Sequence, residues 1–155
     1  MAEYEEKLKI IVVSGSHSNI GKTTVLRNIQ AKLQPLSAVA IKIGHRPMNA
    51  DKPEKFFSNI QEGMQYIESI GQSGNTEFLL IESNSILNHL EPDLVVFLKG
   101  KDQPEKDSAG IARPKADIIV DENFDYSAAA GICAEKTGVK SIADALLEQY
   151  EYLYG

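Results

Sequence analysis

Only one of the 155 residues is a cysteine, Cys133. The chain therefore has no intramolecular disulfide and no cysteine cluster with zinc spacing. In its helical, apolar setting Cys133 reads as a small buried side chain. His45 and His89 have no histidine or cysteine at ligand spacing, so no metal beyond Mg²⁺ is expected. No apolar run approaches the roughly 20 residues that a membrane span requires. The opening MAEYEEKLKI lacks the layout of a secretory signal, and a cytoplasmic protein with no membrane partner is expected. Basic residues are outnumbered 16 to 22, giving a formal net charge of -6. A nucleic-acid footprint needs a basic face, so no nucleic-acid partner is expected either. Repeats, low-complexity tracts and long linkers are missing too. What remains is one domain over residues 1–155, 43% hydrophobic and 25% charged as in ordinary globular chains. At this size a single core buries roughly 70% of the unfolded surface.

The hydrophobic pattern alternates between two periods. Lys9 to Ser14 (KIIVVS) is a short β-branched run ending at Gly15, which predicts a buried strand. Thr23 to Leu33 carries Val25, Leu26, Ile29 and Leu33 at helical spacing, and Pro35 stops that helix. Val39 to Ile43 predicts a second strand closed by Gly44, and GHRPMNADKPEKF after it predicts a loop. A helix is expected from about Glu54 to Ile70, with Phe57, Ile60, Met64 and Ile67 on one stripe and GQSGNT as the turn after it. Further strands are expected at Glu77–Ile81, ending in Glu82, at Asp93–Leu98 and at Asp117–Val120. Lys99 to Lys115 reads as a long polar loop, and two helices close the chain, Tyr126–Lys136 and Ser141 to about Leu153. Continuously apolar strands alternating with helices predict an α/β fold, a mostly parallel sheet with helices on both faces.

Between the first strand and the first helix lies Gly15-Ser16-His17-Ser18-Asn19-Ile20-Gly21-Lys22-Thr23, which fits G-x-x-x-x-G-K-[ST]. Each part has its own reason. Gly15 and Gly21 let the loop curl so that its N–H groups converge on phosphate oxygens. The helix adds its positive N-terminal end. Lys22 supplies a point charge for the β- and γ-phosphates, Thr23 Oγ1 a ligand for Mg²⁺, and Thr24 reaches toward the α-phosphate. A strand before the pattern and a helix after it are the context that separates a nucleoside-triphosphate site from a chance match. The fold expected is thus a P-loop three-layer sandwich binding GTP or ATP with Mg²⁺. His17 reads as a variable, solvent-facing loop position.

Ligands of open parallel sheets lie beyond the carboxyl ends of the strands. Glu82 emerges there, as a carboxylate for Mg²⁺ or as a solvated strand-end acid. Lys42, between Ile41 and Ile43, either reaches the phosphates or snorkels at the end of the sheet. In the loop after the second strand, Asp51 is placed to position the attacking water or hold Mg²⁺, and Arg46 to stabilise developing charge. Lys99, Lys101, Lys106, Arg113 and Lys115 make the late loop locally basic, offset by Asp102, Glu105 and Asp107. A solvated loop is favoured over a substrate loop.

The segments GSHSNIGKTT, AIKIGHRPMNADKP and FLLIES together resemble the molybdopterin-guanine dinucleotide biosynthesis protein B family (MobB). Lys42, His45 and Asp51-Lys52-Pro53 stand where that family has I-K-H, a His-rich loop and D-K-P; Glu54-Lys55-Phe56 departs from its following run. The resemblance implies a GTP-binding accessory protein with weak hydrolysis, usually dimeric, that serves a partner protein in molybdenum-cofactor assembly. The later half is similar to the nickel-insertion GTPases, with Glu82-Ser83-Asn84-Ser85 after the third strand. At the guanine-reading position, Glu122-Asn123-Phe124-Asp125, only Asp125 matches. Two other functions remain open. One is a small-molecule kinase or ATP-dependent ligase of the dethiobiotin synthetase type, and the other a nucleotide-gated interaction module without hydrolysis.

Overall fold

The computed structural model describes residues 8–17, 20–44, 55–100 and 105–155. Ser18, Asn19, His45, Arg46 and Asp51 lie outside the described residues, as do Lys101 and Asp102. Six strands form one sheet: β1 (Lys9–Gly15), β2 (Ala38–Ile43), β3 (Lys55–Phe57), β4 (Phe78–Glu82), β5 (Leu94–Leu98) and β6 (Ile118–Val120). Their spatial order is β3-β2-β4-β1-β5-β6 and every pairing is parallel. The helices are α1 (Lys22–Leu33), α2 (Ile60–Ser73), α3 (Ala109–Ala112), α4 (Tyr126–Thr137) and α5 (Ile142–Tyr154).

The pleat divides the strand residues between two cores. Ile11 and Val13 of β1 join Val25, Leu26, Ile29 and Leu33 of α1 and the apolar sides of α4 and α5 on one face. Val12 turns to the other face, with Ile41, Leu79, Val95 and Phe97, against Ile67 of α2 and Ala109 and Ala112 of α3. Both faces are therefore dry, which is why the central strands read as unbroken apolar runs. Full burial of each α1 side chain contributes roughly 2 kcal/mol before the entropy of ordering it is subtracted. The result is a three-layer α/β sandwich, as the alternating periods predict.

Two segments differ from the sequence reading. Lys55–Phe57, expected to lie in a loop and the start of a helix, is an edge strand paired with β2, Lys42 opposite Phe56. Phe57 matches the helical stripe by spacing but belongs to this strand, where it packs on Tyr66 with ring centroids 5.2 Å apart. The helix starts only at Ile60, after Asn59, whose side chain accepts the Glu62 amide at 2.8 Å while its own amide donates back to Glu62 Oε1 at 3.0 Å. That reciprocal cap sets the start of α2. At its other end α2 continues through Gly71 to Ser73 and stops at Gly74, which has a φ of 71°. The second difference is in Lys99–Lys115, where α3 and a short 3₁₀ turn at Arg113–Lys115 replace the expected open loop. The apolar Ala109 and Ala112 sink into the second core, Arg113 lies over the Phe97 ring, and Lys115 Nζ donates to the Leu87 carbonyl.

Strand order determines where a site can form. From β1 the chain crosses through α1 to β2 on one side, and from β4 it crosses to β5 on the other. Connections leaving adjacent strands in opposite directions open a crevice at their carboxyl ends. The crevice lies beside Gly15, Glu82 and Leu98, and the glycine loop leads out of it.

Candidate functional site

The glycine loop is fixed by contacts from four directions. Gly15 N donates to Asn84 Oδ1 at 2.9 Å, and Asn84 Nδ2 donates to the Gly15 carbonyl at 2.8 Å, so one buried amide from the end of β4 clamps both polar groups of that residue. Ser16 N donates to the Leu98 carbonyl at 2.9 Å, extending β1 along β5 by one residue. Gln149 of α5, itself buried, donates to the Ile20 carbonyl at 2.7 Å. Ile20 is buried as well and anchors the loop to the first core.

The glycines are required by space and by angle. A Cβ on Gly15 would stand 2.6 Å from Ile20 Cδ1 and 3.3 Å from the Leu98 carbonyl oxygen. Gly21 has a φ of 97°, and a Cβ there would meet Gln149 Nε2 at 2.6 Å. It precedes α1, which carries no side-chain cap and no acidic residue in its first turn. Among the described residues the first-turn amides thus have neither an intrahelical acceptor nor a capping oxygen, and the first i to i−4 bond is Val25 N to the Gly21 carbonyl. This helix start is polarised to receive an anion.

Charged side chains converge on the same point. Thr23 Oγ1 donates to Glu82 Oε1 at 2.6 Å, and the other Glu82 oxygen pairs with Lys42 Nζ at 3.2 Å. Glu82 is 3% exposed, so its charge depends on both partners. The parallel register sets Lys42 directly opposite Glu82, and the lysine head that the sequence left ambiguous is turned to the carboxylate at the end of the sheet. Lys22 Nζ has a long contact of 3.5 Å to the His17 carbonyl. Burial holds the Lys22 ammonium down to about 8, with the charge of Lys106 adding to the depression, Lys42 contributing in the same sense and Glu82 opposing them.

His17, expected to face solvent, is half-buried. Its ring packs on Gly100, where a Cβ would fall 1.7 Å from Cε1, and Nδ1 lies 2.8 Å from Ser16 Oγ. Gly100 N donates to the same hydroxyl at 2.7 Å. Burial first, then Lys22 and Lys106, push the imidazole below its ordinary pKa. Ser16, expected among the phosphate-binding residues, uses its amide, hydroxyl and carbonyl within the protein. The Gly15 amide is likewise engaged. Among the described residues no acceptor meets the amides from Ile20 to Thr24, and Thr24 itself is exposed.

Of the expected site residues, Gly15, Ile20, Gly21, Lys22, Thr23, Lys42 and Glu82 are brought together. Asp51, Ser18 and Asn19 lie outside the described residues. Asp125, the one match at the base-reading position, is instead the N-cap of α4, accepting the Ala128 amide at 3.2 Å. Asn84 and Lys106 were named from sequence only as parts of the run after the third strand and of the late basic loop, with no place of their own in the site. No pattern marks a buried amide after a strand, and Lys106 looks like any lysine in a mixed-charge loop.

The donor set suits a triphosphate and Mg²⁺. An ammonium and free helix amides face one way, and a hydroxyl sits against a buried carboxylate, hard oxygen groups of the kind Mg²⁺ takes in ones and twos. By contrast, a groove of about 680 Å³ runs along α2 past Ile60, Met64 and His89 and includes none of these residues.

Fold and loop together define a P-loop-like three-layer α/β sandwich with an all-parallel sheet. No protein-family model matches the chain, and no curated protein matches its sequence. Among the described residues, no helix is long and apolar enough to cross a membrane.

Proposed function

We propose that this chain binds a nucleoside triphosphate, GTP or ATP, with Mg²⁺, and hydrolyses it slowly as a cytoplasmic accessory protein in metallocofactor maturation. The observation that carries the nucleotide reading is the junction of Thr23, Glu82 and Lys42 at the start of an uncapped helix. In this reading Lys22 and the amides of Gly21 to Thr24 hold the phosphate tail. Thr23 and Glu82 would hold Mg²⁺, which when bound neutralises phosphate charge. Glu82 is a positioning residue in this scheme. Both its oxygens are engaged, one by Thr23 and one by Lys42, so it is poorly placed to take a proton from water. Asp51 keeps the two roles expected from sequence, positioning the attacking water or holding Mg²⁺.

The accessory role and a client protein in molybdenum-cofactor assembly rest on the resemblance of the GSHSNIGKTT, AIKIGHRPMNADKP and FLLIES segments to MobB proteins, as does a homodimer. Calorimetric titration of ATP and of GTP, each with and without Mg²⁺, tests the nucleotide reading. Magnesium-dependent binding of at least one is expected, and binding of neither removes it. Phosphate release that stays slow until a partner protein is added supports the accessory role. Steady phosphoryl transfer to a metabolite with no partner present points to the kinase or ligase alternative.

A further inference from the structure

The segment after β5 is fastened onto the glycine loop by main-chain and buried side-chain bonds. Lys106 N donates to the Ser16 carbonyl at 2.8 Å, and Gly100 N donates to Ser16 Oγ at 2.7 Å. Two residues beyond Lys106, Ser108 Oγ accepts from Asn84 Nδ2 at 3.0 Å, and the same Asn84 amide clamps Gly15. These bonds set Lys106 against the glycine loop, where the charge of its ammonium acts on that of Lys22. Two carboxylates near this point are committed elsewhere, Glu82 to Thr23 and Lys42 and Glu105 to Arg113. No carboxylate among the described residues pairs with Lys106. Two cations side by side at the mouth of a helix repel each other unless an anion with several charged oxygens bridges them.

We propose that Lys106 is a second phosphate-binding cation, carried in from the loop after β5 to act with Lys22 on the polyphosphate tail of the nucleotide. The inference rests on the nucleotide reading above and adds a residue that the glycine-loop pattern does not contain. A lone Lys22 can engage the oxygens nearest the helix start. The pair can span neighbouring phosphates, so Lys106 strengthens triphosphate binding more than monophosphate binding.

The test is calorimetry of Mg-ATP, Mg-GTP and the corresponding monophosphates on the wild-type protein, Lys106→Ala, Lys106→Arg and Lys22→Ala, with the triphosphate titrations repeated from pH 7 to pH 10. Losing one charge-assisted contact is expected to weaken the triphosphate about ten-fold or more in Lys106→Ala, with Lys106→Arg recovering most of it. A second readout excludes a merely structural effect. Lys22 faces Lys106 and His17 from the loops, Lys42 from β2 and Glu82 from β4. Removing the Lys106 charge should move the alkaline fall in triphosphate binding to higher pH. Triphosphate affinity in Lys106→Ala within about two-fold of wild type overturns the proposal. So does a loss that arginine does not restore, or one that leaves the alkaline limb unmoved. Failure of wild type to bind, or full binding by Lys22→Ala, sinks the nucleotide reading itself and is distinguishable from these outcomes.

Discussion

Lys22→Met should make the ligand-free protein more stable while removing its affinity for nucleotide. The folded chain holds the Lys22 ammonium at about 8 against an ordinary 10.5, chiefly because it is buried and next because Lys106 stands beside it. For a lysine held below its ordinary value, the unfolded chain binds the proton more tightly than the folded one. Below pH 8 both states are protonated and the folded state carries the full cost. Between pH 8 and 10.5 the folded state releases the proton first, and stability rises with pH across that window. The difference corresponds to roughly 3 kcal/mol as an upper bound. Methionine keeps most of the apolar stem and removes the charge. At pH 7 Lys22→Met is therefore expected to gain up to ~3 kcal/mol, a rise in melting temperature of as much as roughly 10 °C for a chain of this length. Urea unfolding of both proteins at pH 7 and pH 10 measures it, and the difference between them cancels the other titrating groups. Equal stability at pH 7, with equal pH slopes, would refute the claim that this lysine is held at a cost that ligand binding offsets.

Other substitutions test other parts of the site. Glu82→Gln should abolish most of the enhancement of nucleotide binding by Mg²⁺, read from titrations with and without the ion; an undiminished enhancement contradicts the role given to this carboxylate. Asn84→Ala removes the bonds to both Gly15 groups and to Ser108 and leaves buried main-chain groups unpaired, at a cost of roughly 2–4 kcal/mol in urea unfolding. A loss below about 1 kcal/mol would show that the clamp is dispensable. Gly21→Ala forces an L side chain to a φ of 97° and against Gln149, and should cost about 1–3 kcal/mol together with nucleotide affinity. Asp51→Asn should slow phosphate release far more than it weakens binding, and equal losses in the two assays would remove its assignment to the attacking water.

The layers were legible because physics writes them locally. Ile10–Val13 and Phe78–Ile81 are unbroken apolar runs because both faces of the sheet are covered, and Val25, Leu26, Ile29 and Leu33 repeat at the helical period because one side of α1 is buried. The glycine loop was legible for a similar reason, since few residues tolerate its angles. Lys55–Phe57 was not, because a three-residue edge strand is too short to display a period, and Phe57 coincided with the stripe of the helix after it. The Asn59 and Glu62 cap that separates the two was present in the sequence and is the sign that could have corrected the boundary. Glu82 could be placed at the carboxyl edge from its strand, but its pairing with Lys42 depends on the β2–β4 register, which no local pattern encodes. Lys106 and Asn84 illustrate the same limit. Their partners, Ser16 and Gly15, are far away in the chain, and only the closed sheet joins them.

The most direct measurement is a crystal structure of the protein grown with Mg²⁺ and a non-hydrolysable nucleoside triphosphate. The expected result is a phosphate tail on the amides of Gly21 to Thr24, within hydrogen-bonding distance of Lys22 Nζ, and a metal ion beside Thr23 Oγ1 and Glu82. Nucleotide lodged in the groove along α2, or absent from a glycine loop left unobstructed by crystal neighbours, would contradict it.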